Sequence, residues 1–432
     1  MKTTSGSSKS SARQKWEMIR ILTSFWIFGL CNNYAYVIML SAAEDILGQG
    51  HQNTTDVETK CLDKITSRHC TIITTGAVLL ADILPCLLVK LTFPFFMQRI
   101  PFGIRHFIIC LLQSLSYLIV AFSSGVVMSL TGVVFASISS GFGEITYLSL
   151  TPYFTKNTIS TWSSGTGGAG IIGSLTYAAL TEPHFLNLSP RITLLIMLVV
   201  PLIFSLAYWC LLVFPDSIHK ISIMKLSTWV VPKTCLSETS FNDISNIETQ
   251  NADKSLTSSE HSLLRFMIPL MLVYLGEYFI NQGILQLIIY PCDKGWYLTP
   301  SSQYRWYQVL YQAGVFISRS SVNIIQLPYW ALVLLPILQF ANVVIFFLES
   351  LYFYIPHIWV LFLLILFEGL FGGSSYVNTF THIHNFAKPD VREFSMSISS
   401  LGDAIGIVTA GFVSIPFYNH ICQTSLPAHM TA

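Results

Sequence analysis

Residues 133–150, VVFASISSGFGEITYLSL, and residues 161–177, TWSSGTGGAGIIGSLTY, are two apolar segments crowded with glycine, serine and alanine. Gly132, Ala136, Ser140 and Glu144 recur at every fourth position, so on a helix they share one face. Small residues at that spacing let helix backbones approach closely in lipid. An acid on the same face therefore points into a bundle, and an ionisable group in such a place is a functional candidate by default.

The composition carries that reading outward. The 432 residues are 52% hydrophobic and only 10% charged, against roughly 25% charged in a soluble domain. So few charges cannot cover a globule of this size, and the solvent must be largely lipid. A net charge of +1 gives no reason to expect nucleic acid as a partner. The nine cysteines show no CxxC pair and no Cys/His cluster at zinc spacing. Cys31, Cys86, Cys110 and Cys210 fall in apolar runs and read as small buried hydrophobes. Cys61 and Cys70 lie in a polar loop, where they could pair with each other if the loop faces an oxidising compartment.

A bilayer-spanning helix needs about 20 apolar residues. Eleven segments qualify, at roughly 18–43, 71–97, 103–123, 126–149, 160–181, 191–214, 263–290, 303–324, 327–349, 355–378 and 392–418. The fold expected is thus an all-α, multi-pass membrane protein. Most of the 23 lysines and arginines fall on one side when the spans alternate. The positive-inside rule then puts the N-terminus in the cytosol and the C-terminus in the lumen. Two glycosylation sequons, at Asn53 and Asn187, fall in loops assigned to the lumen by that count. Pro190 and a short loop make Asn187 the poorer acceptor.

Residues 216–262 are rich in Ser, Thr, Asn and Asp and read as a cytosolic linker. The expected organisation is a cytosolic tail (1–17), six helices (18–215) with a glycosylated luminal loop (44–70), the linker, five helices (263–420) and a luminal tail (421–432). The halves are weakly similar. Ser139-Ser140-Gly141 and Ser374-Ser375-Tyr376, and likewise Thr166-Gly167-Gly168-Ala169 and Leu401-Gly402-Asp403-Ala404, stand at one common offset. Internal repeats of this kind are typical of secondary transporters, whose site lies near the midplane between the halves.

Five acids fall within spans: Asp82, Glu144, Glu277, Glu368 and Asp403. Each costs several kcal/mol at mid-bilayer unless it faces protein or water. They share helix faces with other polar groups. Asn32, Asn33 and Tyr36 align on the first span, and Tyr274, Glu277, Tyr278, Asn281 and Gln282 on the seventh. Gln308, Tyr311, Gln312 and Arg319 align on the eighth. Glu368, Ser375 and Thr379 align on the tenth, and Ser399 and Asp403 on the eleventh. Interhelical hydrogen bonding would explain one or two such stripes; stripes on so many helices favour a hydrated central cavity. The substrate-contact candidates are Asn32, Asn33, Tyr36, Glu144, Glu277, Tyr278, Asn281, Gln308, Gln312, Arg319, Glu368 and Asp403. Guanidinium suits phosphate or carboxylate, with interfacial anchoring as the alternative for Arg305 and Arg319. Glu144 and Glu277 are candidates to carry protons or to pair with an arginine. The glycine run 165–170 has no preceding strand and is not a dinucleotide site. No catalytic motif and no cofactor site is found, so the protein is not expected to be an enzyme.

Seven stretches then place the chain among known proteins. FGLCNNYAYVIMLSAAEDIL (28–47), VLLADILP (78–85), GVVFASISSGFGEITYLSLT (132–151), WSSGTGGAG (162–170), EYFINQG (277–283), QYRWYQVLYQAGVFISRSS (303–321) and YVNTF (376–380) resemble the battenin family of lysosomal membrane proteins. The resemblance implies a major-facilitator-like arrangement of six and five helices in the lysosomal and late endosomal membrane. It also implies a role in clearing glycerophosphodiesters, with effects on lysosomal pH and basic amino acids such as arginine. The partners implied are the bilayer, a small polar phosphodiester and protons. The alternative is a membrane organiser that transports nothing and regulates acidification, trafficking and autophagy through protein partners. Some relatives end in a prenylation-type cysteine box. Here Cys422-Gln423-Thr424-Ser425 is followed by seven further residues, so that reading is not expected to apply.

Overall fold

The computed structural model describes residues 5–43, 45, 61–70, 75–93, 100–155, 157–182, 185–215, 218, 252–321, 324–386 and 389–427. Among them the chain forms eleven long helices. The first six are α1 (Ser5–Ser41), α2 (Thr75–Thr92), α3 (Phe102–Ala121), α4 (Val126–Leu150), α5 (Asn157–Thr181) and α6 (Pro190–Leu211). The other five are α7 (Ala252–Tyr278, carried on by irregular turns to Leu287), α8 (Pro300–Ser320), α9 (Tyr329–Tyr352), α10 (Ile358–Phe386) and α11 (Pro389–Gln423). Nine are apolar and long enough to cross a membrane. The exceptions are α5 and α8, the glycine-rich and polar segments. They pack against each other, so their polar residues meet protein and not lipid. Large apolar side chains such as Leu202, Trp209, Ile337 and Phe367 stay exposed on the outer helices, as a lipid-facing surface requires.

Helix ends overrun the apolar segments. α1 begins at Ser5, inside the stretch expected as a tail, and the seventh helix begins at Ala252, inside the stretch expected as a linker. Apolarity marks the part in lipid, and a helix can continue past it; an exposed Arg13–Glu17 pair one turn apart, at 3.0 Å, supports that continuation in α1. Asn53 and most of the linker lie outside the described residues. Asn187 is exposed in the turn between α5 and α6, with φ 47°.

Two halves follow from the packing. α1 lies along α5 and α2 along α4; correspondingly α7 lies along α11 and α8 along α10. Glycine sets each crossing. A Cβ on Gly165 would collide with the Trp26 carbonyl, and one on Gly29 with the Trp162 carbonyl. Gly314 and Gly369 meet the same way between α8 and α10, and Gly406 meets the Met271 carbonyl between α11 and α7. The halves contact each other through α5 on α8 and α2 on α11.

The loop cysteines differ from expectation. Both are oxidised, but not to each other: Cys61 bonds Cys292, and Cys70 bonds Cys422. Residues 61–70 therefore lie as a strap over the ends of the C-terminal half. Leu62 accepts from Cys292 N at 2.9 Å. Arg68 donates to the carbonyls of Ser350 (2.6 Å) and Leu351 (3.0 Å) at the end of α9, and of Thr424 (2.9 Å) past the end of α11. Those are the orphan acceptors that every helix C-terminus leaves. Spatial fit to two helix ends, rather than nearness in sequence, selects the partners. We call this side of the bundle the strap face.

Candidate functional site

α7 loses its regular helix at the residues that carry the polar motif. Glu277 closes the last α turn, and Phe279–Ile284 form a π turn holding Asn281 and Gln282. Such turns turn side chains and carbonyls out of register and recur at functional sites. Tyr311 on α8 donates its hydroxyl to the Glu277 carboxylate. Gly372 on α10 leaves the space for that carboxylate, which a Cβ would fill. Asn281 donates to Glu368 Oε1 at 2.9 Å, Gln282 to Gln308 Oε1 at 3.3 Å, and Tyr304 to Gln282 Oε1 at 2.8 Å. Glu277, Asn281, Gln308 and Glu368 are all buried, and these bonds tie α7, α8 and α10 together inside the C-terminal half.

A second set of polar side chains lies between the halves. Lys90 on α2 pairs with Glu144 on α4 at 2.9 Å. Arg319 on α8 donates to the Tyr274 hydroxyl at 2.9 Å, and its guanidinium lies 4.2 Å from the centre of the Tyr376 ring. Asp403 on α11 is within electrostatic reach of Lys90, Glu144 and Arg319. Gln312 lies against Gly170 of α5, where a Cβ would strike its amide oxygen. Tyr36 on α1 and Tyr278 on α7 meet hydroxyl to hydroxyl at 3.2 Å. Asn33 is partly exposed and accepts from Asn32 at 3.2 Å. Asn32 itself is buried in α1–α4 packing, donating to the Ser140 carbonyl at 3.0 Å.

The halves also close on each other at the strap face. Arg305 on α8 pairs with Asp45 at 3.2 Å, and Tyr177 on α5 donates to the same carboxylate at 2.8 Å. Thr75 at the start of α2 donates its hydroxyl to the Gln282 carbonyl at 2.7 Å. In the strap, outside the spans, burial lowers the His69 imidazole below its ordinary range and lowers Arg68 as well.

The structure thus sorts the sequence candidates. Tyr36, Glu144, Tyr278, Gln312, Arg319 and Asp403 meet between the halves; Glu277, Asn281, Gln308 and Glu368 form the buried network behind them. Glu144 pairs with a lysine, where the sequence offered an arginine. Lys90 escaped sequence reasoning because a lysine near a helix end ordinarily snorkels to the interface. Tyr376 and Asp45 were not among the site candidates, although both lie in motifs that the sequence singles out. Among the described residues no group of His, Cys, Asp and Glu is arranged to hold a metal ion.

A sequence model of the CLN3 protein family matches residues 23–424. The chain is 41% identical over 409 residues to Battenin of Canis lupus familiaris, covering 93% of this chain and 91% of that protein. It is 36% identical over 438 residues to Protein btn-1 of Neurospora crassa, covering 93% and 88%. Among solved structures it superposes on a D-xylose-proton symporter with a TM-score of 0.58 at 12% identity, covering 93% of this chain and 90% of that one. It superposes on the human organic anion transporter MFSD10 (TETRAN) with a TM-score of 0.57 at 12% identity, covering 93% and 95%. At such identity these likenesses give the fold, that of the major-facilitator transporters.

Proposed function

The chain belongs to the CLN3 protein family, and from that premise we propose that it exports glycerophosphodiesters from lysosomes by alternating access. It is a multi-pass membrane protein with a transporter fold. In this reading the strap face is luminal, the N-terminus is cytosolic, Asn53 and Asn187 face the lumen, and no reaction is catalysed. The observation that carries the reading is the charged cluster of Lys90, Glu144, Arg319 and Asp403 between the two halves, the interface at which a rocking transporter works. A buried ion pair with a purely structural role is often matched or bettered by apolar residues of the same size, so its presence here favours a role with a ligand. Arg319 supplies a planar fork for phosphate, and Tyr274 and Tyr376 fix its orientation. In this reading the Asp45–Arg305 pair closes the luminal mouth. Proton coupling through the buried acids, and effects on lysosomal pH and arginine, follow in this reading from the export cycle.

The test is efflux from intact lysosomes. Lysosomes from cells with and without the chain are loaded with labelled glycerophosphocholine, and its release is timed. Release that depends on the chain supports export; equal release from both overturns it. Deleting residues 225–255 separates the organiser, which needs that linker, from the transporter, which keeps its release rate without it.

A further inference from the structure

Lys90 sits in an apolar run, residues 83–93, where a lysine could run its stem to the helix end and keep its ammonium in water. It turns inward instead. Its side chain is only 7% exposed and that of Glu144 17%. Both charges lose most of their hydration, and one contact between them does not restore it. Opposite them, from the other half, stand Asp403 and Arg319. Tyr376 is within electrostatic reach of all four charges, and Asp403 is within reach of the other three. Two cations and two carboxylates therefore lie within reach of one tyrosine, one of each sign from each half, and these four charges sum to zero.

We propose that this quartet is a headgroup-selecting site: Lys90 and Arg319 hold the phosphodiester, while Glu144 and Asp403 hold a cationic headgroup. The inference rests on the transporter reading above and adds to it the class of substrate preferred, a zwitterion such as glycerophosphocholine over a net-negative diester such as glycerophosphoglycerol. The chemistry follows from pairing. A phosphodiester placed between Lys90 and Arg319 takes Lys90 from Glu144, and the carboxylate so released is left uncompensated unless the substrate brings a cation. A choline or ethanolamine group supplies one. A glycerol group does not, and the site is then left with unpaired negative charge in a medium of low polarity. Both halves contribute, so a bound zwitterion also draws them together.

The test is the ratio of kcat/KM for glycerophosphocholine and glycerophosphoglycerol in proteoliposomes of the purified full-length chain. Wild type is expected to favour the choline diester. Glu144→Gln is expected to shift the ratio toward glycerophosphoglycerol by about tenfold, the scale of one lost interaction with a charged group. The exchange Lys90→Glu with Glu144→Lys keeps an ion pair, so a purely structural pair predicts wild-type selectivity for it, whereas the headgroup site predicts a changed ratio. A ratio unmoved in both variants, each with a wild-type melting midpoint, overturns the inference and leaves the transporter reading standing. Uptake of neither diester by wild type overturns both.

Discussion

Arg305 on α8 and Asp45, just beyond the end of α1, meet at 3.2 Å with both side chains largely buried. They belong to opposite halves, and Tyr177 of α5 holds the same carboxylate from a third helix. Glu182 lies within electrostatic reach of the guanidinium, so the N-terminal half offers it a second acid. This is a latch. Its worth is the difference between a pair in place and a buried guanidinium without its partner.

Asp45→Asn is therefore expected to destabilise the state closed at the strap face by about 3 kcal/mol, roughly a hundredfold in the closed-to-open ratio. Distances between spin labels on α2 and α11 at the strap face report the shift. An unchanged distance distribution would show that the latch does not set the equilibrium.

The strap depends on both disulfides. Cys61 and Cys292 are 231 residues apart in sequence, and Cys70 and Cys422 are 352 apart. Mass spectrometry of unreduced digests should recover these two cross-linked peptide pairs and none joining Cys61 to Cys70. Cys61→Ser and Cys292→Ser should each lower stability by about 2–5 kcal/mol, and the double variant by no more than either alone. Additive losses would contradict the pairing.

Glycine governs the α1–α5 crossing. Gly165→Val has to displace α1, because its side chain would overlap the Trp26 carbonyl. The expected cost is about 1–3 kcal/mol or failure to fold, read as loss of monodisperse protein in detergent. Gly125, whose Cβ would meet nothing within 4 Å, is the control: Gly125→Ala should leave folding unchanged.

Acid should loosen the strap through His69. Burial lowers its pKa in the folded protein, so the unfolded chain binds the proton more readily. The neutral form's stability is present above the ordinary imidazole value of about 6.5 and is lost as pH falls below it. The protection of residues 61–70 against hydrogen exchange, taken relative to the intrinsic rate at each pH, should fall between neutral and mildly acidic pH in wild type but not in His69→Gln.

Much of this was legible in the chain itself. Apolar runs locate all eleven spans; what they do not show is that the two least apolar, α5 and α8, are buried against each other. Periodicity likewise finds polar faces, yet it cannot say what a face looks at. Asn281, Gln308 and Glu368 turn toward one another inside one half, while Gln312 and Arg319, from the same stripe as Gln308, turn toward the other half. The disulfides were illegible because their partners are set by where α9, α11 and the loop after α7 end in space. Lys90 was illegible because position along a helix does not reveal whether a long side chain points to water or to an acid on the next helix.

The central claim is tested most directly by uptake of labelled glycerophosphocholine into proteoliposomes of the purified chain, wild type beside Arg319→Ala and Arg319→Lys. Saturable uptake by wild type is expected, with a loss of about a hundredfold in Arg319→Ala, as for one charge-assisted phosphate contact. Arg319→Lys, which keeps the charge but not the fork, should fall between them. Wild-type uptake that Arg319→Ala leaves intact, in protein with an unchanged melting midpoint, would contradict a substrate site between the halves.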